Sequence, residues 1–246
     1  MVGKTIVITG AGDGLGRALA RRLAADGETV VLLGRTLSKV QAVADELGAP
    51  HFAVACDVGN PDSVRAAFAA IAEKHPKIDV LINNAGIFEP FTLAGAKDEL
   101  VLNSIGTNLA GPIFCAREAL PLFGGSGHIV NVTTESVNLK MPMLWMYAGA
   151  KTGLEFVSDM WSRELEADGV RVTVVRAGQM FDETKTAPNW PMEVAIQFMQ
   201  ETAKVGLNVR ERPISHYNSV TDAFRAVLDT PADLHIGMVT LSASRR

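Results

Sequence analysis

The 246-residue chain has only two cysteines, Cys56 and Cys115, so at most one disulfide is open to it. It also lacks a long hydrophobic run: none approaches the ~20 apolar residues needed to cross a bilayer, and no membrane partner is expected. Basic residues are not in excess. With 23 Lys and Arg against 27 Asp and Glu, the formal net charge is −4. That sign argues against a nucleic-acid surface. The five histidines, at 51, 75, 128, 216 and 235, are scattered without metal-ligand spacing, so no metal is expected. No repeat, low-complexity tract or Pro/Gly-rich linker divides the sequence. The amino-terminal MVGKTIVITGAGDG breaks into glycines after one short apolar stretch and reads as a strand, not a signal peptide. Without an export signal, both cysteines read as free thiols in a reducing cytoplasm.

What is present is a 48% hydrophobic, 20% charged composition, enough for a sizeable core, and 22 unevenly spread glycines. Short β-branched runs alternate with segments of helical period. The runs are Thr5–Thr9, Thr29–Leu33, His51–Ala55, Asp79–Ile82, His128–Val132, Val170–Val175 and Met238–Leu241. Helical segments include Leu15, Leu19 and Leu23 at every fourth residue, and Pro61–Lys74. Strands separated by helices imply βαβ crossovers, and continuous apolar strands imply a sheet covered on both faces. The expected fold is α/β: a doubly wound parallel sheet of the Rossmann type, about seven strands, in one domain spanning 1–246. Residues 179–213, with Pro188, Trp190, Pro191, Pro213 and a helix candidate over Met192–Ala203, read as a lid or binding loop.

Thr9-Gly10-Ala11-Gly12-Asp13-Gly14-Leu15-Gly16 follows the first strand and opens the first helix. A dinucleotide pyrophosphate needs backbone approach unobstructed by Cβ atoms, beside free N–H groups at a helix N-terminus. Glycines at 10, 14 and 16 meet that need, in the strand–turn–helix context the motif requires.

With this spacing, Thr-Gly-x3-Gly-x-Gly, the chain resembles the short-chain dehydrogenase/reductase family over roughly residues 4–178. Further motifs follow in the family's order: Asp57-Val58 after the third strand, Asn83-Asn84-Ala85-Gly86 after the fourth, then Asn108, Thr134, Tyr147 and Lys151. The resemblance implies an NAD(P)-dependent oxidoreductase interconverting an alcohol and a carbonyl. It puts the dinucleotide against Thr9, Gly10, Gly12, Asp13, Gly14, Leu15, Gly16, Asp57, Val58, Asn84, Ala85, Gly86, Tyr147, Lys151, Ala177, Gly178 and Met180.

Tyr147 and Lys151 lie four residues apart in a segment of helical period, so they share one helix face. A nearby ammonium favours phenolate and fits the tyrosine as general acid/base. The resemblance gives Thr134 the substrate-orienting role usually held by a serine, with Ser136 as the rival hydroxyl. It gives Asn108 a place in a proton relay through the lysine. Ala177-Gly178 replaces the family's usual Pro-Gly, which keeps close backbone approach but relaxes the turn.

Strand two ends on Gly34-Arg35, without the carboxylate that bonds the ribose 2′-OH in NAD sites, so Arg35 points to a 2′-phosphate and to NADP(H). Asp13, where NADP-using relatives often carry a basic residue, keeps NAD as the alternative. Met141, Met143, Leu144, Trp145, Met146, Met180, Phe181, Trp190, Met192, Phe198 and Met199 read as an apolar lining for a hydrophobic or aromatic alcohol or ketone, or else as packing of a lid or a subunit interface. Glu135 reads as a contact to a polar substrate group or as a solvated side chain. The resemblance implies a homodimer or homotetramer, since the family's long helices, here around 100–120 and 148–167, often pair between subunits. The rival reading is a non-catalytic NADP(H)-sensing regulatory protein, against which the intact Tyr147 and Lys151 weigh.

Overall fold

The computed structural model describes residues 3–182, 190–231 and 233–244. Among them, strands β1 (Thr5–Thr9), β2 (Thr29–Gly34), β3 (Phe52–Ala55), β4 (Val80–Asn83), β5 (Gly127–Thr134), β6 (Val170–Ala177) and β9 (Met238–Leu241) form one sheet. Every pairing is parallel, and the order is β3-β2-β1-β4-β5-β6-β9. β7 (Met180–Phe181) and β8 (Ser215–His216) make a separate short pair.

Alternation along the strands divides the core. Ile6, Ile8, Val30, Leu32, Ile82 and Val130 face one way, against α1 (Gly14–Ala25), α2 (Leu37–Leu47) and α9 (Tyr217–Leu228). Val7, Val31, Leu33, Leu81, Ile129 and Val172 face the other, against α3 (Pro61–Lys74) and α5 (Gly111–Ala119). α7 (Trp145–Glu164) packs on β5 and β6 and adds Trp161 to that second cluster. Helices therefore cover both faces, which is why the central strands β1, β2 and β4 are buried and mostly apolar.

The sequence explains several element ends. Asn60 caps α3 by accepting from Asp62 N and Ser63 N, and Pro61 occupies the first turn, where its missing N–H costs nothing. Asp13 caps α1 by accepting from Gly14 N at 2.7 Å. β5 and β6 each run two residues past the expected Val132 and Val175, because Thr133 pairs with Arg176 and Thr134 with Ala177. Their shared end carries the site.

α4 (Asp98–Ile105) joins α5 through one widened π-helical turn, Gly106–Ala110, with Asn108 fully buried within it. Such turns insert an extra residue and re-aim a side chain. Within the segment expected as a lid, the described elements are β7, α8 (Met192–Lys204) and a 3₁₀ turn at Val209–Glu211, and β8 follows just after it. Residues 183–189, including Pro188, lie outside the described residues.

Candidate active site

The sheet order places β1 between β2 and β4, so the chain reverses direction across the sheet at β1. Ligands of open α/β sheets bind at the carboxyl ends of strands at such a point. A cavity of about 620 Å³ opens there. Its walls include Gly10, Asp13, Gly14 and Leu15 from the glycine turn, Gly34 and Arg35 from β2, and Asp57 and Val58 after β3. Asn84, Ala85 and Gly86 follow from β4, with Thr134, Tyr147, Lys151, Ala177, Gly178 and Met180 at the far end.

Thr9, Gly12, Gly16 and Asn108 do not line this cavity; they shape it from behind. The Thr9 hydroxyl accepts from Asn84 N and Ala85 N, both at 3.0 Å, and the Asn84 amide donates back to Thr9 O at 3.0 Å. These bonds lock the end of β1 to the end of β4. Gly10 has φ +67°, and a Cβ there would sit 2.9 Å from Ala85 Cα. At Gly16 a Cβ would fall 2.2 Å from Gly10 O, so only glycine lets α1 start this close to the strand. Gly12 instead faces Lys39 and Val40 of α2, and its task is helix packing.

Asn108 Oδ1 accepts from Ile87 N at 3.0 Å, while its amide donates to Ile87 O at 2.8 Å and Ser104 Oγ at 3.3 Å. It thereby fixes the chain just past Gly86. A Cβ at Gly86 would meet Asn108 Oδ1 at 3.1 Å and Lys151 Nζ at 3.8 Å, so this asparagine and the lysine both lie against the same glycine.

Tyr147 and Lys151 lie one turn apart on α7, and both reach the cavity. Lys151 is buried and donates to Val132 O at 2.8 Å. Burial pulls its pKa from 10.5 down to about 8. Burial pushes the Tyr147 phenol up, and a hydrogen bond with Thr134 pulls it the other way. Thr134 and Ser136 are themselves linked, hydroxyl to hydroxyl at 3.1 Å, and Ser136 N donates to Thr134 Oγ1 at 3.1 Å. Thr134 lines the cavity while Ser136 lies behind it.

Some wall residues escape a sequence reading. Phe88, two residues past Gly86, is 42% exposed and its ring centroid lies 6.0 Å from that of Tyr147. Trp190 meets Phe88 edge-on at 5.5 Å. Tyr217, at the start of α9, reaches the glycine turn, with its hydroxyl 3.3 Å from where a Gly14 Cβ would sit. Cys56, Ile87, Thr107, Val132 and Thr133 are further lining that the sequence reading does not assign to the site. A spacing signal links neither Phe88 nor Tyr217 to the site, since each arrives from its own loop or helix end.

The methionines divide differently from the expectation of a substrate lining. Met141, Met143 and Leu144 are buried with Phe198, and Trp190 and Val194 pack against them. They hold α8 in place together with Trp190, and leave Phe88 to face the tyrosine. Glu135, expected to meet substrate or solvent, instead pairs with Arg212 at 2.6 Å.

Among the described residues, no group of three or more His, Cys, Asp or Glu side chains is placed to hold a metal. Nor is any helix there long and apolar enough to cross a membrane.

The residues present suit a dinucleotide. Backbone without side chains lines the cavity at Gly10, Gly14, Gly34, Gly86 and Gly178, and the α1 N-terminus opens onto it. A helix N-terminus at one end and the Tyr147 phenol and Lys151 ammonium at the other fit a dinucleotide-dependent oxidoreductase.

The profile described as short chain dehydrogenase matches residues 4–193. The chain belongs to this family, whose members interconvert alcohols and carbonyls with NAD(P). It is 39% identical over 153 residues to a 3beta-hydroxysteroid dehydrogenase of Mediterraneibacter gnavus, a match covering 60% of this chain and 55% of that protein. With a D-xylose 1-dehydrogenase of Caulobacter vibrioides it shares 33% identity over 193 residues, or 76% of this chain and 75% of that one. Among solved structures, the 3-ketoacyl-(acyl-carrier-protein) reductase of Brucella melitensis, complexed with NADH, matches with a TM-score of 0.80 at 26% identity. That match covers 97% of this chain and 96% of the other.

Proposed function

We propose that this chain, as one domain over 1–246, is an NADP(H)-preferring oxidoreductase acting on an uncharged hydrophobic or aromatic alcohol or ketone. The observation that carries the reading is that one cavity joins the glycine turn and Arg35 to Thr134, Tyr147 and Lys151.

Bound nicotinamide supplies hydride in the reducing direction and takes it up in the other. The chain's own residues handle the proton. Tyr147 donates it to the carbonyl oxygen, or accepts it from the alcohol. Burial raises its pKa and keeps the phenol protonated at neutral pH, ready to donate. Lys151 lowers the barrier to phenolate and holds the nicotinamide ribose. Thr134, in hydrogen bond with Tyr147, orients the substrate oxygen. Asn108, held by the Ile87 backbone beside Gly86, supports the relay through Lys151.

Arg35 at the end of β2 is the group for a 2′-phosphate, as a guanidinium fork matches phosphate geometry. Asp13 caps α1 but keeps its charge on the cavity wall, which weighs toward NAD. The NADH-bound relative keeps NAD as the alternative cofactor.

The substrate class rests on Phe88. An apolar ring left 42% exposed beside the phenol is surface that a hydrophobic ligand would cover. The likeness to a 3beta-hydroxysteroid dehydrogenase favours the same class over that of the sugar-named relative.

Exposed Leu102 and Ile105 on α4, with Phe156 and Met160 on α7, fit a second copy of the chain in a homodimer or homotetramer. Buried, unpaired Cys56 and Cys115 fit a cytoplasmic location.

The test is NADPH and NADH consumption with acetophenone, 2-tetralone, 2-butanone and 4-carboxyacetophenone. The reading expects turnover of the neutral ring ketones and a roughly tenfold loss of kcat/KM for them in F88A. Faster turnover of the carboxylate than of acetophenone would overturn the substrate class.

A further inference from the structure

The turn leaving β6, Ala177-Gly178-Gln179, has no proline to set its backbone, yet Ala177 and Gly178 line the cavity at the Tyr147 end. Something else must hold it. Building on the dinucleotide reading of the cavity, we propose that Glu135 is a positioning residue that staples this turn, with Arg212 as its counter-charge, and so holds the nicotinamide end of the site.

Both ends of Glu135 engage the same three residues. Its backbone N–H donates to Ala177 O at 3.0 Å, and its side-chain Oε1 accepts from Gln179 N at 3.1 Å. Oε2 lies over the residue between: a Cβ on Gly178 would sit 3.2 Å from it. A side chain at 178 would press on the carboxylate and, at 3.0 Å, on Leu241 O, so the glycine lets the staple sit this close.

The carboxylate is itself held. Arg212 Nη2 lies 2.6 Å from the same Oε1, and the two side chains are only 19% and 16% exposed, respectively. Solvent screens such a pair weakly, and removing one partner strands the other. Three residues further on, Ser215 N donates to Gln179 O at 3.0 Å, at the start of the β7–β8 pairing. Gln179 is thus gripped on its N–H by Glu135 and on its carbonyl by Ser215. The 212–215 strap closes over the turn, and the ion pair fastens it.

Position in the sequence matters too. Glu135 directly follows Thr134, which pairs with Ala177 in the sheet. One residue therefore sets the spacing between the Thr134 hydroxyl and the Gly178 backbone, both of which face the cavity. Glu135 touches neither reacting atoms nor cavity; it acts through the turn.

The test compares two ligands that differ only in the nicotinamide ring: NADPH and 2′-phospho-ADP-ribose, or NADH and ADP-ribose where NADH binds more tightly. Dissociation constants are measured by fluorescence titration and calorimetry on wild type, E135A, E135Q and R212A. E135Q keeps an acceptor for Gln179 N–H and loses only the charge, so it separates staple from ion pair. The staple predicts that E135A weakens NADPH about tenfold while the ring-less ligand changes less than about twofold. E135Q and R212A weaken NADPH by about threefold each, and the double variant E135Q/R212A does no worse than R212A, because the two residues act as one unit. Unchanged NADPH affinity in E135A, or equal weakening of both ligands, overturns the staple. Wild type that binds neither dinucleotide overturns the reading of the cavity itself, and that failure is visible before any variant is made.

Discussion

Lys151 should make the protein less stable than it need be. It is 2% exposed, and burial brings its pKa from 10.5 to about 8. At roughly 1.4 kcal/mol per pH unit, that drop corresponds to roughly 3 kcal/mol of stability lost at neutral pH by keeping the ammonium in place. Methionine matches the lysine stem without the charge. K151M gives up the bond to Val132 O, about 1 kcal/mol, leaving a net gain of about 2 kcal/mol. At ~2–4 °C per kcal/mol for a chain of this size, K151M should melt about 4–8 °C above wild type at pH 7.

The sign with pH follows from the two pKa values. Between about 8 and 10.5 the unfolded lysine is protonated and the folded one is not, so wild type gains stability as pH rises. The gap to K151M should therefore close over that window. Scanning calorimetry of both proteins at pH 7, 9 and 10 measures it. A K151M protein that melts at or below wild type at pH 7, or a gap that widens with pH, refutes the reasoning.

Other substitutions probe separate parts of the molecule. R35S should lower kcat/KM with NADPH by about 10- to 100-fold, the worth of a charge-assisted contact, and leave NADH within about threefold; steady-state kinetics with both cofactors checks this. His128 is buried, and its pKa is lowered to about 3 by desolvation, with Arg171 and Lys4 adding to it. The folded histidine stays neutral where the unfolded one charges, so wild type should lose stability as pH falls from 6.5 to 3. H128N should lose less, as urea unfolding at pH 7 and 4.5 would show. Glu155 accepts from Thr133 Oγ1 at 2.7 Å and from Arg176 Nε and Nη2 at 2.9 and 2.6 Å. E155A strands this largely buried guanidinium and should cost roughly 3 kcal/mol in chemical unfolding.

Much of this architecture is legible in the chain because local chemistry and global fold agree. Asn60 and Pro61 announce the start of α3, and the observed Pro61–Lys74 matches the periodic segment end to end. The glycine turn carries its own context of strand and helix. What escapes the sequence is whatever depends on a distant partner. Arg176 is a charged residue inside a strand, and only Glu155 from α7 explains it. Glu135 looks like a solvated or substrate-facing carboxylate until Arg212 arrives beside it. Phe88 and Tyr217 join the cavity through the ends of β4 and α9, with no motif to mark them. The methionine-rich stretch could be read as pocket or packing, and Phe198 of α8 decides for packing at Met141 and Met143.

The central claim is that this cavity moves hydride while Tyr147 moves a proton. NADPH carrying two deuteriums at C4, incubated with acetophenone or 2-tetralone, tests it by mass spectrometry of the alcohol. The account predicts one deuterium on the former carbonyl carbon with wild type, and at least about 100-fold slower transfer with Y147F at undiminished NADPH affinity. Deuterium transfer by Y147F at the wild-type rate would contradict it.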